Sequence, residues 1–185
     1  MSNQNQTLTI DTEIQLRPLE LNDYQDIFNT IDSQRKYLGQ WLPFVKFTRQ
    51  PKDSKDFVEM TINQPEDRFE SVFTIRYENQ FAGLIGFKGT DRQNKKTEIG
   101  YWLSEKLQGK GIVTKSVKRL CDFAFQELGL NRIQIKCAVG NEKSKSIPKR
   151  LGFIWEGIER DGELLSGNMF TDIATYSKLK REHIE

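Results

Sequence analysis

Apolar residues recur at helical spacing at Val113, Val117, Leu120, Cys121, Ala124 and Leu128, which predicts a helix with one buried stripe, stopped by Gly129. Immediately before it, Lys96–Leu103 reads as a strand, and after it Ile133, Ile135, Cys137 and Val139 alternate along a second strand, Arg132–Val139. Ser71–Arg76 and Phe81–Phe87 form a predicted hairpin around Glu78-Asn79-Gln80, and Lys96–Leu103 follows as its third antiparallel partner. Upstream, Ile14 and Leu16 alternate in a first or edge strand ending near Pro18. Residues 20–62 read as helices broken near Pro43 and Pro51, with Asn22 as a helix cap. A short helix spans Asn141 to about Leu151, and Pro148 predicts either a kink in it or a late start. Strands over Phe153–Glu159 and Phe170–Leu179 close the order, leaving 161–169 as a loop. Helices placed among short strands, with no repeat and no linker, predict an α+β fold in one domain over residues 1–185, with 1–11 a candidate disordered tail.

Composition changes this picture little but excludes several functions. The 28 basic and 26 acidic residues leave a net charge of +2, which argues against a dedicated nucleic-acid binder. Residues 1–9 are polar and unlike a signal peptide, and no apolar run reaches a membrane span, so a soluble cytoplasmic protein is expected. Cys121 and Cys137 fall on apolar faces and read as core thiols. The one histidine, His183, is third from the carboxyl end, where chains are commonly loose; a histidine triad or multi-histidine metal site is not expected.

Candidate chemistry concentrates at Gln108-Gly109-Lys110-Gly111-Ile112-Val113-Thr114, between the strand and the long helix. Glycines there let the backbone turn tightly, and amides of a first helical turn point at an anion that the helix dipole also favours. The dinucleotide fingerprint fails because position 114 is Thr, and the nucleotide P-loop fails because Gly109-Lys110 is followed by Gly111.

The segment resembles the acetyl-coenzyme A pyrophosphate loop of the GNAT acetyltransferase superfamily, Gln/Arg-x-x-Gly-x-Gly/Ala, with Val113 departing at a position where the backbone, not the side chain, forms the cradle. About 30 residues on, Asn141-x-x-Ser144-x-x-Ile147-x-x-x-Leu151-Gly152-Phe153 resembles the family's second segment. Leu38–Phe44, Glu98–Leu103 and Asp172 with Tyr176-Ser177 are similar to the group that acetylates amino termini of ribosomal proteins at serine or alanine. The resemblance implies a mixed, mainly antiparallel sheet flanked by helices and splayed between its fourth and fifth strands.

It also implies roles. Gln108, Gly109, Lys110, Gly111, Ile112, Val113 and Thr114 would hold the pyrophosphate, with Lys115, Lys118 and Arg119 near it; Trp102 and Leu103 would offer main-chain groups to the pantetheine arm and the oxyanion; Asn141 would bond the pantetheine. Asn141 equally reads as a helix cap. Ser144 is the candidate donor to the departing thiol, and a covalent serine is not expected without a histidine to activate it. Glu98 and Glu163 are the two candidate bases. Tyr37, Trp41, Phe44 and Phe47 are candidates for the acceptor cleft, two of them being expected in the core. The implied function is acetyl transfer from acetyl-coenzyme A, without a metal, to a protein amino terminus, with a ribosomal protein and a homodimer as candidate partners and no membrane or nucleic-acid contact. The competing readings are a small-amine acetyltransferase (polyamine, amino acid or aminoglycoside) and a coenzyme A-binding module without turnover. Lys143, Lys145, Lys149 and Arg150 are left to coenzyme phosphate, ribosomal RNA or water.

Overall fold

The computed structural model describes residues 6–65 and 70–183. Two strands, β1 (Leu8–Thr9) and β2 (Ile14–Pro18), lead into α1 (Asp23–Ser33), α2 (Arg35–Leu38), a 3₁₀ turn (Pro43–Lys46) and α3 (Pro51–Ile62). Then come β3 (Val72–Tyr77), β4 (Gln80–Asp91), β5 (Lys96–Leu103), α4 (Ile112–Asp122), β6 (Arg132–Ala138), α5 (Glu142–Arg150), β7 (Ile154–Leu165) and β8 (Met169–Leu179). The strands form one sheet in the order β1-β2-β3-β4-β5-β6-β8-β7. Every pair is antiparallel except β5 with β6.

That exception makes the site. β5 and β6 pair only from Lys96↔Arg132 to Glu98↔Gln134. Beyond Glu98, β5 continues to Leu103 on β4, while β6 continues to Ala138 on β8. The sheet therefore opens as a V with Glu98 and Gln134 at its vertex. This is the splay expected between the fourth and fifth strands; β1 raises both numbers by one.

Each sheet face has its own core. On one, α4 buries Ile112, Val117, Leu120 and Cys121, and the π-helical turn Phe123–Glu127 that continues it sets Phe123 edge-on to Phe73, centroids 6.3 Å apart. On the other, Ile27 and Ile31 of α1 meet Val58 of α3 and Leu84 of β4. Alternation along β5 assigns Ile99, Tyr101 and Leu103 to the α4 face, and Trp102 to the α1/α3 face.

Several expectations are corrected. Leu8–Thr9 pairs with Gln15–Leu16, so β2 is not the edge strand and the disordered tail does not reach residue 8; residues 1–5 of that tail lie outside the described residues. Asn22 makes no side-chain cap; the buried carboxylate of Asp23 instead accepts from the Glu20 amide at 2.8 Å and is paired with Arg17 and Arg76. The helices are divided near Pro43 and Pro51 as expected: Pro43 opens the 3₁₀ turn and Pro51 begins α3, as suits a residue whose missing N–H is not needed in the first turn. β7 runs on to Leu165, so Glu163 lies on a strand and not in a loop. α5 starts at Glu142 with Pro148 inside it, so the late start is not seen. His183 is packed on Phe125 and bonded to Asp122 at 2.6 Å. Both cysteines are buried and unpaired. Among the described residues no helix is long and apolar enough to cross a membrane.

The hairpin turn Glu78-Asn79 has φ of 49° and 64°, as a tight two-residue hairpin turn requires. A stricter demand falls on Gly83 of β4, opposite Leu103. A Cβ there would lie 2.1 Å from the Trp102 carbonyl oxygen and 2.9 Å from the Leu103 Cα. Both are backbone atoms and cannot swing aside. Gly83→Ala should therefore cost about 1–3 kcal/mol and displace the free end of β5, read as a lower urea midpoint with an unchanged m-value.

Candidate active site

The V is filled by a cavity of about 1110 Å³. Its walls bring together three stretches separated in sequence: Trp102 and Leu103 at the end of β5, the loop from Gln108 to Thr114, and Asn141 with Ser144 at the start of α5. Gly109 and Gly111 adopt φ of 75° and 74°, the left-handed region that glycine enters without strain. A Cβ at either would meet nothing within 4 Å, so the requirement is conformational, not steric. Gly111 caps α4, and Ile112, Val113 and Thr114 form its first turn, whose N–H groups have no intrahelical acceptor.

The cations around this loop differ from those expected. The Lys110 side chain turns out over the Tyr77 ring, 4.6 Å from its centroid, so only its amide belongs to the loop. Lys115 is bonded to Asp11 at 2.8 Å, Lys118 to Asp122 at 3.5 Å and Arg119 to Glu127 at 3.6 Å. Lys115 lines the cavity although tied to Asp11, and Lys143 and Arg150 of α5 join it there. Lys143 donates to Gln108 Oε1 at 2.7 Å and Arg150 to Thr114 Oγ1 at 2.6 Å, so both bond to neutral oxygens and keep their charge available. Helical spacing already set residues 143 and 150 on one side of α5, seven apart, but only the fold aims that side at the loop.

Of the two readings of Asn141, the helix cap is seen. Its Oδ1 caps α5 by accepting from the Ser144 amide at 3.1 Å, and the residue lines the cavity. Ser144 is half-buried, with Tyr101 Oη 3.2 Å from its hydroxyl. Burial pushes the Cys137 thiol above its ordinary pKa, and the Ser144 side chain pulls it back.

Glu98 and Glu163 do not line this cavity, and the charge of Glu98 is felt at Glu163. Glu98 at the vertex is held by Lys88 at 2.6 Å and by Gln134 Nε2 at 3.3 Å. Glu163 is exposed as a side chain, but partial desolvation of its carboxylate raises its pKa; Lys88 pulls it down and Glu98 pushes it up again. The two carboxylates and Lys88 thus form one charge cluster. Three positions separate Glu98 from Tyr101 on β5, so the cluster and the Tyr101–Ser144 contact lie on opposite sheet faces.

Of the aromatic candidates, Tyr37 and Trp41 reach the cavity, Trp41 resting on Gly140, where a Cβ would be 3.1 Å from its Cη2. Tyr37 also packs on the second core and accepts a hydrogen bond from Gln108 Nε2. Phe44 and Phe47 are exposed, so none of the four is a fully buried core residue. Among the described residues no group of three or more His, Cys, Asp or Glu side chains could hold a metal ion.

A mixed sheet splayed at one parallel pair, a left-handed glycine loop opening a helix, and a capped Asn/Ser helix facing it across the gap together define a coenzyme A-dependent acyltransferase site. The sequence profile of the acetyltransferase (GNAT) domain matches residues 13–154, and the chain belongs to that family. It is 37% identical over 180 residues to YdaF of Bacillus subtilis (strain 168), provisionally named a ribosomal N-acetyltransferase, covering 95% of this chain and 96% of that one. The fold is similar, at TM-score 0.89 and 25% identity, to RimL, the ribosomal L7/L12 alpha-N-protein acetyltransferase, in complex with coenzyme A, over 94% of this chain and 98% of RimL. It is also similar, at TM-score 0.86 and 30% identity, to the microcin C7 self-immunity acetyltransferase MccE in complex with acetyl-CoA and AMP, over 93% and 98% of the two chains. The protein is an acetyl-coenzyme A-dependent N-acetyltransferase of the GNAT type.

Proposed function

We propose that this enzyme acetylates the amino-terminal amine of a protein, with a ribosomal protein as the acceptor. Full-length similarity to RimL and YdaF supports that acceptor class. The observation that carries the chemistry is the convergence of the glycine loop, Asn141 and Ser144 on one cavity at the open end of the V.

Acetyl-coenzyme A supplies an activated acetyl thioester. The amides from Gly109 to Thr114 hold its pyrophosphate, joined by Lys143 and Arg150, and the Thr114 hydroxyl stays available as a further donor. Main-chain groups of Trp102 and Leu103 lie on the edge of β5 that no strand covers; they bond the pantetheine arm and donate to the oxygen on which charge develops. Asn141 adds its amide nitrogen to a pantetheine carbonyl. The Ser144 hydroxyl donates a hydrogen bond to the sulfur as it leaves as thiolate, which then takes its proton from water. On the other face, Glu163 takes the proton of the acceptor amine directly or through water, and Glu98, fixed by Lys88 and Gln134, keeps that side acidic and attractive to an ammonium. A free α-amine has a pKa of about 7.7–8, so a carboxylate is an adequate base near neutral pH; a lysine side chain, at about 10.4, is a poorer acceptor.

Thiol release from acetyl-coenzyme A, followed with peptides beginning Ser or Ala beside spermidine and an aminoglycoside, tests this reading. Peptides are expected to give a kcat/KM at least about 100-fold above the small amines, the ~2.7 kcal/mol that a few contacts along a peptide supply. The reverse order would establish a small-amine enzyme, and saturable coenzyme binding with no turnover would establish a binding module.

A further inference from the structure

The main-chain carbonyl of Ser144 is left open by the sequence. In an α-helix it would accept from the N–H of residue 148. Residue 148 is proline, which has no N–H, and it lies inside α5 with its ring buried. The Tyr101 hydroxyl, reaching over from β5, comes 3.3 Å from this carbonyl oxygen and 3.2 Å from the Ser144 hydroxyl. The Ser144 amide is already bonded to Asn141 Oδ1 at 3.1 Å. Each polar group of Ser144 is thereby held by a named partner.

Tyr101 is suited to this task. Its ring packs against the α4-face core, and burial pushes the phenol above its ordinary pKa, so it stays neutral and serves as a donor and not as a proton source. A serine hydroxyl has one proton and two lone pairs. The phenol has one proton within reach of two Ser144 oxygens, so that proton is shared between the carbonyl and the hydroxyl in a three-centre bond, and the serine's own proton is left to point into the cavity that Ser144 lines.

We propose that Tyr101 is a positioning residue for Ser144: Pro148 opens the Ser144 carbonyl, the Tyr101 phenol closes it, and the same contact turns the Ser144 proton toward the thiol leaving group. This rests on the donor role given to Ser144 above. Tyr101 does not touch the reacting atoms. Its effect is on kcat through the orientation of Ser144, not on coenzyme affinity.

The test compares Tyr101→Phe, Ser144→Ala, Pro148→Ala and the doubles Tyr101→Phe/Ser144→Ala and Tyr101→Phe/Pro148→Ala, by steady-state kinetics and thermal melting of the full chain. Tyr101→Phe should lower kcat about tenfold, less than loss of a direct donor costs, with KM for acetyl-coenzyme A within about twofold of wild type. In the Ser144→Ala background it should lower kcat no further, because the residue it positions is gone. Tyr101→Phe should also lower the melting temperature by leaving the carbonyl unpaired. Pro148→Ala restores an N–H to that carbonyl, so the second double should regain the melting temperature but not kcat, each read against Pro148→Ala alone. A wild-type kcat in Tyr101→Phe, or an equal loss in the Ser144→Ala background, would overturn the proposal. So would recovery of kcat along with the melting temperature, which marks a purely structural contact. A wild-type kcat in Ser144→Ala would overturn the donor role and the positioning role together, whereas a slow Ser144→Ala beside a fast Tyr101→Phe overturns only the second.

Discussion

Ser144→Ala is expected to lower kcat about 100-fold while KM for acetyl-coenzyme A moves less than about threefold. The coenzyme contacts proposed above are the glycine loop, Lys143 and Arg150, none of which the substitution touches. The hydroxyl acts on charge that appears on sulfur only as the bond to the acetyl carbon breaks, so its loss falls on the transition state. A thiol leaves with a pKa near 8.5 and is not a poor leaving group, which places the loss at the low end of the general-acid range. The Asn141 cap on the Ser144 amide survives the change, so α5 should keep its place. A kcat within twofold of wild type in a folded variant would remove Ser144 from the chemistry.

Glu163→Gln is expected to lower kcat/KM about 100-fold near neutral pH, with Glu98→Gln costing much less. Glu98 is tied to Lys88 and Gln134, and an amide can keep the Gln134 side of that arrangement. Glu163 is free to face the acceptor. A carboxylate must be ionised to take a proton, so the rate falls as pH drops through its pKa in the folded protein. Desolvation raises that pKa, and the acid limb of the profile should lie above the ordinary glutamate range. Lys88 pulls it down, so Lys88→Met should move the limb to higher pH, and Glu163→Gln should abolish it. The deficit of Glu163→Gln should shrink at high pH, where the amine loses its proton unaided. A ratio to wild type that stays flat across pH for both glutamine variants would eliminate a carboxylate base.

Much of the site was legible because short-range constraints define it. Gly109 and Gly111 are required by left-handed backbone at a strand-to-helix turn, and Asn141 and Ser144 share a helical turn, so spacing alone recovers each segment. The turn Glu78-Asn79 and the whole of β5 follow likewise from local pattern. Where the reading failed, a distant partner decided the outcome. β7 extends six residues past Glu159 because β8 pairs with it as far as Leu165, and an exposed, charged stretch has no periodicity to announce that. Asn22 lost its cap to Asp23, whose burial between two arginines from β2 and β3 is a tertiary matter. Lysines 110, 115 and 118 border the loop in sequence, yet their partners are Tyr77, Asp11 and Asp122, and the cavity's two cations not paired with a carboxylate, Lys143 and Arg150, come from α5.

The sequence by itself determined the loop conformation and the helix that carries Ser144, because these rest on backbone rules acting over a few residues, and the resemblance of those two segments to known motifs gave the family and hence the acetyl donor. Only the tertiary structure decided where β5 and β6 part, which is a question of pairing between strands more than 30 residues apart. It also decided that Glu98 and Glu163 share one charge cluster on the face opposite Ser144, and that the carbonyl opened by Pro148 is met by Tyr101. A hydrogen bond depends on position to within a fraction of an ångström, and no local spacing fixes the distance between side chains brought together by the closing of a sheet.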